Sequence, residues 1–190
     1  MKKLIVLSIA CSLSSMTVLA EEPSFSFLEG GYANGESDTG FLLRGNAELS
    51  SNFFLNLGME WYEDDNDSFE FGYDYIGLGY KHLLDDTTAV YGLINLAELS
   101  SEAQVGPVNV GVDSSGIEYG VGVRKQITDY TQVYGQITRI DLENDINGNV
   151  FNLGLKQSIM PNLAAYAEVK RYHDSDEPSN EFGIGISYNF

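Results

Sequence analysis

Apolar and polar residues alternate one by one along most of this chain. Phe41, Leu43, Ala47 and Leu49 make one apolar set, and Leu42, Arg44, Asn46 and Glu48 a mostly polar one. Next come Phe53, Leu55, Leu57, Met59 and Trp61, with Asn56, Gly58 and Glu60 between them. Ile117, Tyr119, Val121 and Val123 likewise oppose Glu118, Gly120, Gly122 and Arg124. A period of two predicts β-strands with one apolar face. Five glycine-rich segments of this kind fall at 41–47, 76–81, 117–124, 151–156 and 182–188. Returning strands are expected at 53–63, 89–99, 132–142 and 163–172, and residues 24–33 supply the first. The prediction is therefore all-β with about ten strands, or eight if two segments belong to a loop. Each segment has about the nine to eleven residues with which a tilted strand crosses a bilayer.

The charged faces decide what the apolar ones meet. In a soluble sandwich the apolar face packs on a second sheet. Here the opposite face carries charges from many strands, as a polar lumen can, and lipid tolerates a sheet only when it is closed. The expected fold is a closed antiparallel transmembrane β-barrel over residues 21–190. Residues 1–20 read as a signal peptide to be removed: Lys2 and Lys3 precede an apolar run, and Val18-Leu19-Ala20 suits a cleavage site. The single cysteine, Cys11, leaves with that segment, which fits export through an oxidising compartment. Without Lys2 and Lys3 the chain keeps eight basic residues against 28 acidic ones, a net charge of −20. Such a surface excludes nucleic acid as a partner, because phosphate binding needs clustered Lys and Arg.

Near the C-terminus Phe182, Ile184, Ile186, Tyr188 and Phe190 alternate without a break, and residues 25–32 (FSFLEGGY) open the first strand. On these patterns the whole mature chain resembles the small outer-membrane barrels of the OmpA and OmpX type. The resemblance implies an outer-membrane location, contact with outer-membrane lipid and lipopolysaccharide, and an aromatic terminus read by the barrel-assembly machinery. The archetypes have eight strands, so their lumen and loop functions do not transfer to a chain reading as ten.

Lumen chemistry follows from phase. Arg44, Lys81, Arg124, Lys156 and Lys170 take the polar phase, as do Glu29, Glu48, Glu60, Glu118 and Glu168, with Tyr91, Tyr134 and Tyr166 between them. Buried charge is costly when unpaired, so these residues are expected to pair across the bore. Arg139 and Arg171 take the lipid phase near the outer end, where they are expected to meet lipopolysaccharide phosphates. Short connections (50–52, 84–88, 128–131, 160–162) are expected on the periplasmic side and longer ones (34–39, 63–68, 100–115, 143–149, 173–180) outside. Residues 100–115 read as a strand extension or a projecting hairpin.

The outer segments are acidic: Glu36 and Asp38; Glu63, Asp64, Asp65 and Asp67; Asp174, Asp176 and Glu177. The plain interpretation is a solvated surface. Weak capture of Ca²⁺ or Mg²⁺ is the sharper one, although the spacing is not that of an EF-hand. No cofactor motif, metal cluster or nucleophile motif appears, and His173 with Asp174 and Ser175 is the nearest approach to a hydrolase rim. The expected role is non-enzymatic: a structural or surface-interaction barrel, with a narrow porin as the alternative and a rim hydrolase as a remote one.

Overall fold

The computed structural model describes residues 22–190 apart from 37, 65–68, 106–107 and 174–177, with backbone alone at 103–105 and 108–109. The segment read as a signal peptide thus lies outside the described residues, as do Asp65, Asp67, Asp174, Ser175, Asp176 and Glu177. Ten strands follow in chain order. They are β1 (Phe27–Asn34), β2 (Asp38–Glu48), β3 (Phe53–Asp64), β4 (Phe69–Asp85), β5 (Thr88–Val105), β6 (Val108–Thr128), β7 (Thr131–Leu142), β8 (Asn147–Met160), β9 (Leu163–His173) and β10 (Ser179–Asn189). Each pairs antiparallel with its chain neighbours, and β1 closes on β10 in register Phe27 with Asn189 through Asn34 with Phe182. The count is ten, and the eight-strand alternative falls away.

Along β3, Phe54, Asn56, Gly58, Glu60 and Tyr62 are buried, whereas Phe53, Met59 and Trp61 are exposed. The same alternation leaves Ile94, Leu96, Val121, Ile137, Leu153 and Ile184 on the outer surface. An apolar belt of this extent has no counterpart on a water-soluble monomer. It is the lipid-facing band of a membrane barrel, and its backbone is satisfied because the sheet has no edge there.

Two expectations need correction. The first strand begins at Phe27 and not at Ser24, because residues 22–26 leave the sheet and enter the bore, where Phe25 is wholly buried. The strand extension or hairpin expected at 100–115 is present as strand. β5 and β6 stay paired from Thr88–Lys125 up to Val105–Val108, so residues 100–105 and 108–115 project as a pair of strands. The connection expected over 143–149 contracts to 143–146, with Asn144 and Asp145 at φ 61° and 60°. Two successive left-handed residues form the hairpin turn that suits the strand twist, and Asn and Asp tolerate that region best. On the other end, two-residue turns follow β4, β6 and β8, and each of these ladders slips register just before its turn. Short turns on one end and projecting strands on the other set the periplasmic and outer ends respectively.

Candidate functional site: the lumen and the outer rim

Three tiers of side chains cross the bore. The middle tier centres on Arg44 of β2. Its Nε donates to Glu29 Oε2 at 2.7 Å, while Nη1 and Nη2 donate to the two carboxylate oxygens of Glu168 at 2.8 and 2.7 Å. A planar guanidinium holding a carboxylate through two parallel bonds is the strongest and most directional ion pair available. Lys156 pairs with the other oxygen of Glu29, and the Tyr134 hydroxyl and Asn152 amide donate to Glu168 at 2.8 and 3.1 Å. Arg44 also lies 5.2 Å from the centre of the Tyr166 ring.

The outer tier joins opposite walls. Lys170 of β9 reaches Glu60 of β3 at 2.8 Å and Glu181 of β10 at 3.2 Å, while Tyr62 and Tyr172 donate to Glu60 and Glu181. Glu181 was not singled out from the sequence. Yet it is one residue from outward Phe182, so the alternation already placed it inside.

The periplasmic tier is a plug. Residues 22–26 fold into the mouth, where the Phe25 ring sits 4.9 Å from Phe54 and 5.3 Å from Tyr91. The Arg124 guanidinium lies 4.4 Å from the centre of the Phe25 ring and donates to the Ser24 carbonyl at 3.0 Å. Lys81 ties Glu22 (2.8 Å) to Glu48 (3.1 Å), and Glu48 accepts from the Phe25 backbone N–H.

The structure thus brings Glu29, Arg44, Lys156 and Glu168 together, Glu60 with Lys170, and Glu48 with Lys81. Two members stand apart from the expected pairing. Among the described residues Glu118 has no cationic partner; it accepts from Asn95 (3.0 Å) and Tyr73 (3.2 Å). Arg124 has no carboxylate partner there and rests on three aromatic rings instead. The physical reason is local: amides and hydroxyls on β4 and β5 satisfy Glu118, and ring faces attract a guanidinium. Both residues line an enclosed cavity of about 60 Å³ between the tiers.

The glycine-rich strands have a packing function that the sequence did not disclose. Directly across the ladders, Tyr75 faces Gly58, Tyr91 faces Gly122, Tyr134 faces Gly154 and Phe54 faces Gly79. A Cβ at any of these glycines would overlap the ring. Absent side chains on one strand therefore let aromatic rings lie across the bore from the next. Signals for this were present as inward glycines opposite inward aromatics, but they required the register to be seen.

The remaining predicted residues lie outside. Phe182, Ile184, Ile186 and Tyr188 project from β10, and Phe190 caps it with its N–H on the Ser26 carbonyl. Arg139 and Arg171 are on the lipid-facing surface near the outer end, with Arg139 donating to Asn147 at 2.8 Å. His173 stands across from Asn149 in the ladder, exposed at the rim. Among the described residues no group of three His, Cys, Asp or Glu side chains could hold a metal ion.

A closed ten-stranded barrel with an apolar belt and a charged bore is a transmembrane barrel of the outer membrane. A family model described as "Outer membrane protein beta-barrel domain" matches residues 14–158, and the chain belongs to that family. No curated protein sequence matches it. Among solved structures it is similar to the NanC porin (13% identity, 87% of this chain and all of that one, TM-score 0.52). It is also similar to the KdgM porin in complex with oligogalacturonate (11%, 86% and 99%, 0.50). Ail, the attachment invasion locus protein of Yersinia pestis, is a third (12%, 87% and 97%, 0.50). At these identities the likeness is one of fold.

Proposed function

We propose that this protein is a closed barrel with a structural and surface-interaction role, displayed at the outer end of β4–β6. The observation that carries this is the filled bore. Three tiers and the cross-strand rings leave a cavity of about 60 Å³, room for a few water molecules and not for a solute. Ten strands enclose more space than the eight whose interior side chains just fill, so the filling comes from these residues and not from strand number alone. The projecting hairpin supports the second half of the reading. Above Gly116 the β6 strand has no β7 partner, and beyond the bonds of Ser114 and Ser115 to Glu143 residues 108–113 end the sheet in an open edge, a template for strand addition. Val110 and Val112 are exposed on that edge strand, whereas Glu98, Glu102 and Asp113 project from the other face of the hairpin. Contact with lipid and with the assembly machinery belongs to the same reading, and no step of it requires catalysis.

Single-channel recording of the refolded protein tests it. The expected trace shows small or no conductance. Large, persistent, cation-preferring channels would replace this reading with a narrow porin.

A further inference from the structure

The lipid-facing wall of β4–β9 is not uniformly corrugated. Two rows of outward side chains climb obliquely across it. One runs Tyr80, Gly92, Val121, Ile137, Phe151 and Arg171, each the ladder partner of the next. The row above it runs Leu78, Ile94, Tyr119, Arg139, Asn149 and His173. Shallow apolar grooves follow these rows. One, of about 680 Å³, reaches Arg139 and Asn149; the other, of about 1010 Å³, reaches Arg171. Their floors are Gly92 and Gly135, outward positions where the belt lacks a side chain.

We infer that this wall binds a phosphorylated outer-leaflet glycolipid of the lipid A type, its acyl chains in the two grooves and its phosphates on Arg139 and Arg171. Each groove ends, on the outer side, at an arginine. The two arginines flank β8 and their partners there, Asn149 and Phe151, are two residues apart, so two strand spacings and two residues of rise separate them, about 12 Å. Neither has a carboxylate partner among the described residues, though Asp141 lies two positions above Arg139 on the same face. Guanidinium groups suit phosphate geometry. On β3, β4 and β5, away from the arginine-bearing β7 and β9, the outward positions toward the outer end are Glu63, Glu70, Asp74, Glu98 and Glu102, which repel phosphate. Charge therefore selects the β7–β9 end of this wall for the headgroup, and the missing glycine side chains make room for the chains beneath it. This surface is separate from the bore and from the projecting hairpin, so its failure would leave the closed-barrel reading untouched.

Native mass spectrometry of the refolded barrel tests the assignment, with bisphosphorylated lipid A, its dephosphorylated form and phosphatidylglycerol as probes. Heat-modifiable gel mobility first confirms that each variant is folded. The wild type should retain bisphosphorylated lipid A above the other two. R139Q/R171Q should lower that retention about ten-fold. G92L/G135L should also lower it, because a Cβ at either glycine meets only ordinary contacts and the larger side chain fills the groove. E98Q/E102Q, on β5 above the apolar belt and away from both arginines, should not lower it. Equal retention by wild type and R139Q/R171Q, or retention of phosphatidylglycerol as strong as that of lipid A, would overturn the inference.

Discussion

The barrel is built from two unlike halves. The β4–β6 wall is tall, with strands of 17, 18 and 21 residues, while β7 to β10 run 11 to 14. On β5 the outward residues are Ile94 and Leu96, then Glu98, Ser100 and Glu102, so the apolar belt stops at Leu96 and the strand continues in water. On β9 the belt stops at Val169, Arg171 follows, and the strand ends two residues later. Inside, the difference repeats. Above the plug, where Lys81 of β4 holds Glu22 and Glu48, the bore facing β1, β2, β8 and β9 is held by paired ions, whereas the β4–β6 side offers Asn95, Tyr73, Tyr75 and a Glu118 with no cationic partner among the described residues. Above the plug, one half of the molecule is thus tied together by ionic contacts across the bore, and the other by its own ladders. Long strands supply their own cohesion through backbone bonds, and a short wall gains more from cross-bore pairs.

Removing Glu168 should test that contrast most severely. Glu168→Ala leaves the buried Arg44 fork with Glu29 alone, and breaking a buried pair on one side costs about 3–5 kcal/mol. Glu118→Gln, on the other half, keeps the size of the side chain and deletes no ion pair, and should cost about 1 kcal/mol or less. Urea unfolding in detergent reads both. Equal midpoints for the two variants would erase the distinction.

The plug sits at the junction of the halves, touching Phe54 and Tyr91 with one ring. Phe25→Ala should cost about 3 kcal/mol by the same assay, the usual loss for a buried phenylalanine. It should also admit a small ion current if residues 22–26 are what close the periplasmic mouth. A variant as stable and as silent as the wild type would show that the plug contributes neither stability nor closure.

The tall wall can be cut down without touching the belt. Ser101 and Val112 are ladder partners, so replacing 102–111 by Asn-Gly should join them through a tight two-residue turn. The unfolding midpoint should stay within about 0.5 kcal/mol of the wild type, as for surface changes generally. A large drop would mean that the projecting sheet stabilises the barrel and is not mainly a display element.

The smallest effect belongs to the turn between the tall strands. The Thr87 hydroxyl and backbone N–H both donate to Asp85, at 2.8 Å each, and hold its carboxyl down at about 2. A depressed carboxyl favours the folded turn above the unfolded value, and that contribution fades as pH falls toward 2. In Thr87→Val, which keeps only the backbone donor, the Asp85 titration followed by NMR should move toward the ordinary carboxylate value. No movement would remove the hydroxyl from the account.

Much of this architecture is legible in the chain alone. Strict alternation settled the fold class, the lipid-facing set and the lumen phase of residues such as Arg44, Glu60 and Lys170, because a strand offers two faces and a bilayer accepts only one of them. The location of β10 and its outward row followed from the same rule. What pairs with what could not be read that way. Arg44 meets Glu168 across 124 positions of sequence, and Lys170 meets Glu60 across 110. These contacts depend on closure and on the slant of the ladders, and alternation is silent on both. The plug also escaped, because Phe25 and Phe27 continue the strand pattern and only the packed bore decides that Phe25 leaves the sheet. At 100–115 the alternating valines did point to a strand extension or hairpin, and the ladder with β5 does run on there. Period two is a local property of the backbone, whereas partner choice, bore filling and wall height are set by the whole closed sheet.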